Sequence, residues 1–134
     1  MPALALTGTR AAAGAALAPA TETDPPIVET TDSLTPPALM LEWANPWFAP
    51  ASVAGGRGLL TATLNVLCFA ARIEPEPGIV KLEELVSYVI GRLQGDLNPW
   101  TFTNAQTPVR VDMNAIPMFL ARLSFTIPIY VNGG

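Results

Sequence analysis

The sequence predicts an α+β domain: an antiparallel, mixed sheet with long strands, one main amphipathic helix packed on one face, and a short N-terminal helix. Three observations predict it. Residues 59–73 and 118–131 each alternate apolar and other residues at period two, as long strands do. Between them, Leu82, Leu85, Val86, Val89, Ile90 and Leu93 follow the i, i+3, i+4, i+7 stripe of a helix with one buried face. Two long strands around one helix, with shorter strands added, make an α+β layer packing and leave no repeated βαβ unit.

In chain order, the Ala-rich stretch after Arg10 (AAAGAALA) is a good helix former, stopped before Pro19. It ends in an A-x-A-like Ala18-Pro19-Ala20, but one leucine in the would-be hydrophobic region is a weak secretory leader. Residues 19–37 hold Pro19, Pro25, Pro26, Pro36 and Pro37 among Thr, Asp and Glu and read as an extended arm. The organisation is therefore an N-terminal helix and Pro-rich arm over 1–37 and a single α+β domain over 38–134.

Ala38–Trp43 is a short first strand, broken by Asn45-Pro46-Trp47-Phe48-Ala49-Pro50, and the chain is a loop through Gly58. Gly55-Gly56-Arg57-Gly58 has the flexibility of a hairpin tip. It superficially resembles a phosphate-cradling loop but lacks the Gly-Lys-Ser/Thr ending. From Leu59 to Ile73, Leu60, Ala62, Leu64, Val66, Cys68 and Ala70 share one face. Fifteen residues at ~3.3 Å each span roughly 50 Å, so the strand bends or projects as one arm of a hairpin. Glu74-Pro75-Glu76-Pro77-Gly78 ends it, and the helix follows over Ile79–Leu93. Glu83 and Glu84 near the helix start, Arg92 near its end and Gly95 after it suit the helix dipole and C-cap. Asp96–Thr107 reads as a polar loop holding Trp100 and Phe102, followed by a short Val109–Val111 strand and a turn at Asn114–Pro117. In the last strand, Phe119, Ala121, Leu123, Phe125, Ile127, Ile129 and Val131 line one face, the one the helix should cover. Pro128 removes a ladder donor, which places that end at a sheet edge or beside a bulge.

Composition narrows the chemistry. The 134 residues include no His and one Cys, Cys68, and only 13% are charged, about half the usual ~25%. Ser/His and Cys/His nucleophile pairs, internal disulfides and Cys-Cys metal knuckles are thereby excluded. Carboxylates and the single lysine, Lys81, remain. Glu74 and Glu76 are simplest as solvated loop charges; Asp96 and Asp112 have no companions at ligand spacing; Cys68 on an apolar strand face is an inert small hydrophobe. No catalytic residue, metal ligand or cofactor is expected. The net charge of −4 opposes nucleic-acid binding, and no apolar run approaches the ~20 residues of a membrane helix. The informative residues are aromatic: Trp43, Trp47, Phe48, Trp100 and Phe102 fall in or beside predicted loops. They either cap the sheet ends or anchor an interface, and the scarcity of charge favours the interface.

From about Pro37 to Val131 the sequence resembles the tail-terminator proteins of long-tailed phages, the family that includes the lambda tail terminator and related proteins of actinobacterial siphophages. The likeness rests on PPALMLEW, a long strand LTATLNVLCFA with an acidic-proline turn, the helix LEELVSYVIGRL, the Trp-containing NPWTF and the terminal FLARLSFTIPIYV. It implies a hexameric ring that binds the finished end of the tail tube, stops further addition of the major tail-tube protein and presents a surface to the head-completion or connector protein. It implies no enzymatic activity and a place at the head-tail junction of the virion, after assembly in the host cytoplasm. DNA would only pass through the lumen, where an acidic wall repels phosphates. The family offers no site residues to carry over. The expected interface is therefore the projecting segment with Trp47, Phe48 and Arg57, docked on a neighbour or the tube, and Trp100 with Phe102 at a subunit boundary. A head-tail stopper or adaptor, a secreted binding domain and a carboxylate-only enzyme are the competing readings.

Overall fold

The computed structural model describes residues 4–5, 9–19, 25–28, 36–50, 59–71, 75–94, 100–113 and 116–130. The elements are β1 (Leu4–Ala5), α1 (Thr9–Leu17), β2 (Ile27–Val28), β3 (Ala38–Pro50), β4 (Leu59–Ala71), α2 (Pro75–Leu93), β5 (Thr101–Ala105), β6 (Val109–Met113) and β7 (Ile116–Tyr130). They form one seven-stranded sheet in the order β1-β7-β4-β3-β2, with β5 and β6 also paired to β7. The α+β reading holds, and the sheet is mixed: β3, β4, β7, β5 and β6 pair antiparallel, while β1 and β2 pair parallel to β7 and β3.

The two long period-two runs are the centre. β4 and β7 stay in register from Leu59↔Tyr130 to Ala71↔Met118, without a break. Their even-numbered and odd-numbered apolar residues respectively, Ala62 to Ala70 and Phe119 to Ile129, share one face and are buried beneath the helices. We call this the helix face and the other the far face. On it α2 buries Leu82, Leu85, Val89 and Leu93, with Ile79, Val86 and Ile90 at the margin. The predicted stripe is the packed one.

Contact between α2 and the sheet is tight at Gly78. A Cβ there would stand 2.6 Å from the Ala71 carbonyl oxygen and 2.9 Å from the Phe119 ring. Backbone cannot retreat as a side-chain tip can, so Gly78→Ala is expected to destabilise the fold by about 1–3 kcal/mol despite alanine's better helix propensity. Urea titration followed by circular dichroism checks this; an unchanged midpoint would mean that the helix is seated further out.

The N-terminal segment is tied to the body. Ala13 and Leu17 of α1 are fully buried in the main core. The Tyr88 hydroxyl of α2 donates to the Leu17 carbonyl at 3.0 Å, supplying a partner that the last turn of α1 lacks. Arg10 Nη2 donates to the Leu41 carbonyl of β3 at 3.3 Å. Helix and arm thus share the domain's core, although their composition sets them apart. Within the arm, Ile27–Val28 is a strand beside β3; the rest of residues 20–35, apart from Pro25 and Pro26, lies outside the described residues.

Four expectations at element boundaries are corrected. The first strand does not stop at Trp43 but runs to Pro50. Between Trp43↔Leu64 and Phe48↔Ala62 it advances five positions against two in β4, and this bulge absorbs the extra residues. Pro46 and Pro50 are tolerated because no described strand lies on their outer side. The helix starts at Pro75, not Ile79. Pro75 and Pro77 fall in the first turn, whose N–H groups have no intrahelical acceptor, so two prolines cost little there. The 96–107 loop contains β5: TFTNA is an edge strand with four of its five residues exposed, so it shows no apolar alternation. Pro128 is not at a sheet edge, because β7 is central; on the flank opposite β4 it falls between the β5 register, which ends at Thr126, and β1, which starts at Ile129.

Candidate functional site

The far face of the sheet is divided. At one end Ala38, Leu67, Phe69, Met118 and Leu120 form a second, smaller buried cluster, flanked by half-buried Val28, Met40, Val111 and Ile116. At the other end the same face turns polar, with Thr61, Thr63 and Thr126 half-buried and Thr101 exposed. Between the two runs a row of polar groups spans the sheet. Ser124 Oγ donates to Asn65 Oδ1 at 2.8 Å, and the Asn65 amide reaches Glu42 Oε2 at 3.5 Å. Arg122 donates through Nη1 to Gln106 Oε1 at 3.2 Å, while its Nε lies 3.5 Å from Glu42 Oε2, out of hydrogen-bond alignment. An ion pair this exposed contributes little stability. Its consequence is neutrality: the only two charged side chains of the row cancel. The sequence reading did not pick out this row, although Asn65 on β4 and Arg122 and Ser124 on β7 mark its place at alternate positions.

The sequence-predicted interface residues separate. Trp47 sits in β3, not in a loop, and is 41% exposed. Its ring lies 5.2 Å from that of Trp43, tilted by 36°, so two indoles form one aromatic patch beside the bulge. Phe48 pairs through its backbone with Ala62; its side chain lies outside the described residues, as does Arg57. Trp100 is corrected: it is 4% exposed and belongs to the main core, so it offers no free surface. Phe102 is half-buried in β5, its ring edge-on to Phe125 at 5.5 Å. The strand registers place Trp43, Leu64, Phe125 and Phe102 in one cross-strand row on the helix face. Its two ends are aromatic and lie on opposite sides of the sheet.

Burial pushes the Cys68 thiol up to about 12, so at neutral pH it is a protonated, inaccessible hydrophobe. Among the described residues no group of three or more His, Cys, Asp or Glu could hold a metal ion. A cleft of about 360 Å³ lies between α2 and the β5–β6 edge; Leu82, Val86, Pro108 and Ala121 make it mainly apolar, and Glu83 is its one titratable group. Lys81, the lone lysine, is exposed and 3.6 Å from Glu84, one helical turn away. No helix among the described residues is long and apolar enough to cross a membrane. No protein-family model matches the chain, and no curated protein matches it either.

Proposed function

We propose that this chain is a structural virion protein that forms a ring at the head-proximal end of a phage tail tube, ends tube polymerisation and joins the tail to the head connector. The observation that carries this reading is the tilted Trp43–Trp47 pair, in a chain with 13% charged residues, on a strand that has no outer neighbour beside it among the described residues. Exposed indole in a charge-poor setting is the chemistry of a protein-protein anchor. The resemblance of the strand, helix and Trp-loop order to tail terminators gives the anchor its partners: neighbouring subunits, the major tail-tube protein and the head-completion protein. With −4 per subunit, the ring would repel DNA phosphates from its lumen and let the duplex pass without sticking.

Negative-stain imaging of the chain mixed with purified tail tubes tests the reading. A ring at one tube end is the expected result, and Trp47→Ala should reduce the capped fraction several-fold while leaving the melting curve within about 1 kcal/mol of wild type. Bare tube ends would overturn it. Decoration of head connectors in place of tubes would replace it with the stopper reading.

A further inference from the structure

We propose that copies of this chain join edge to edge, β5 of one subunit pairing antiparallel with the Glu42–Asn45 stretch of β3 in the next, so that the sheet continues from subunit to subunit. This deepens the ring reading and rests on it for biological context.

Four observations converge. First, among the described residues both edges lack a strand partner at this level: β2 pairs with β3 at Leu39 and Met40, and no described strand lies beside Glu42–Asn45 or on the side of β5 away from β7. Second, polarity fits. β3, β4, β7 and β5 alternate in direction, so the outer two run opposite ways, and placing copies head to tail makes an antiparallel contact. Third, the level fits, because Trp43 and Phe102 terminate the same cross-strand row.

Fourth, the backbone phase fits. Leu39 N–H donates to the Pro26 carbonyl and the Leu41 carbonyl accepts from Arg10, so odd-numbered residues of β3 before the bulge turn their polar groups away from β4. Trp43 is the next of these. On the other edge the Phe102 N–H goes to Gln94 Oε1 at 2.9 Å, away from β7. Two residues of one row, both with outward polar backbone, are the hydrogen-bonded pair of an antiparallel ladder. In the pairing, Phe102 and the neighbour's Trp43 exchange N–H···O=C bonds, and Gln94 gives up a donor that it caps in the single chain. Both side chains lie on the helix face, so the two rings meet across the new ladder, with Trp47 against Trp43. Pro46 on β3 and Pro108, in the connection just after β5, bracket the contact and stop it from spreading along the edges. A head-to-tail contact of this kind closes into a ring when the rotation between copies allows.

The test is self-assembly by sedimentation velocity, with no tail tube present. In the pairing Thr103, the extra residue at the β5 register shift between Phe102 and Asn104, falls beside Glu42, so Thr103→Glu brings two carboxylates together and spoils one edge; Trp47→Glu spoils the other. Each variant should be monomeric with a wild-type circular dichroism melt, while wild type assembles beyond a dimer. An equimolar mixture of the two should form a heterodimer, because each contributes the edge that the other lacks. If either variant loses its fold, Thr101→Glu and Asn45→Glu serve at exposed positions on the same edges. The proposal is overturned by wild type that stays monomeric at its solubility limit, by a variant that assembles like wild type, by a mixture that stays monomeric, or by dimers of one variant alone. Assembly without tube capping would leave the edge pairing standing and remove the tail reading, so the two failures are distinguishable.

Discussion

Val89→Asp unfolds the chain. Val89 is fully buried at the centre of the α2 stripe, among Leu82, Leu85 and Leu93 and over the β4 and β7 core. A carboxylate there loses its hydration without gaining a partner, since the surrounding cluster contributes apolar side chains. Burying it ionised, or paying to protonate it, costs on the order of 3 kcal/mol or more, a large fraction of the 5–15 kcal/mol that holds a domain together. The expected result is loss of the cooperative melt and of near-ultraviolet circular dichroism at neutral pH. A wild-type melt would place another face of α2 on the sheet.

Trp100→Ala costs stability before it costs assembly. The indole is 4% exposed and lies in the same core cluster as Phe125 and Leu123. Truncating a buried aromatic removes its transfer free energy and leaves a cavity, about 3–5 kcal/mol together. Guanidinium titration should show a large fall in midpoint. Trp47→Ala, at a site 41% exposed, should barely move it. The reverse order of effects would return Trp100 to the surface and place Trp47 in the core.

The contrast between these tryptophans shows where sequence reading reached its limit. Both follow an Asn-Pro pair, Asn45-Pro46 and Asn98-Pro99, with no periodic pattern around them, and local composition gives them the same status. What separates them is the position of β7. Its Ile116–Tyr130 run accepts β4 on one flank and β5 and β6 on the other. That second flank draws Thr101–Ala105 out of the apparent loop and turns Trp100 inward. Trp47 lies across the sheet on β3, whose outer side beyond Met40 has no strand neighbour among the described residues. Pairing of this kind connects residues tens of positions apart and leaves no local trace.

The edges themselves were the least legible part. Pro46 and Pro50 look like strand breakers, and Pro75 and Pro77 like a turn, because local rules are written for element interiors. At an open edge or in the first turn of a helix, the missing N–H has no bond to lose. Pro128 misled in the opposite direction: it suggested an edge, yet the gap it occupies lies on one flank of a central strand.

The sequence by itself determined the two long strands, the packed face of α2, the burial of Cys68, and the absence of histidine and scarcity of charge that leave so little catalytic vocabulary. These follow from periodicity and composition, which are carried by neighbouring residues. Only the tertiary structure decided that Trp100 is core, that Trp43 and Trp47 form a patch, and that Trp43 and Phe102 end one row on opposite edges. Those depend on strand order and register, and the physical reason is that both are set by long-range backbone hydrogen bonds, for which no short stretch of chain holds both partners.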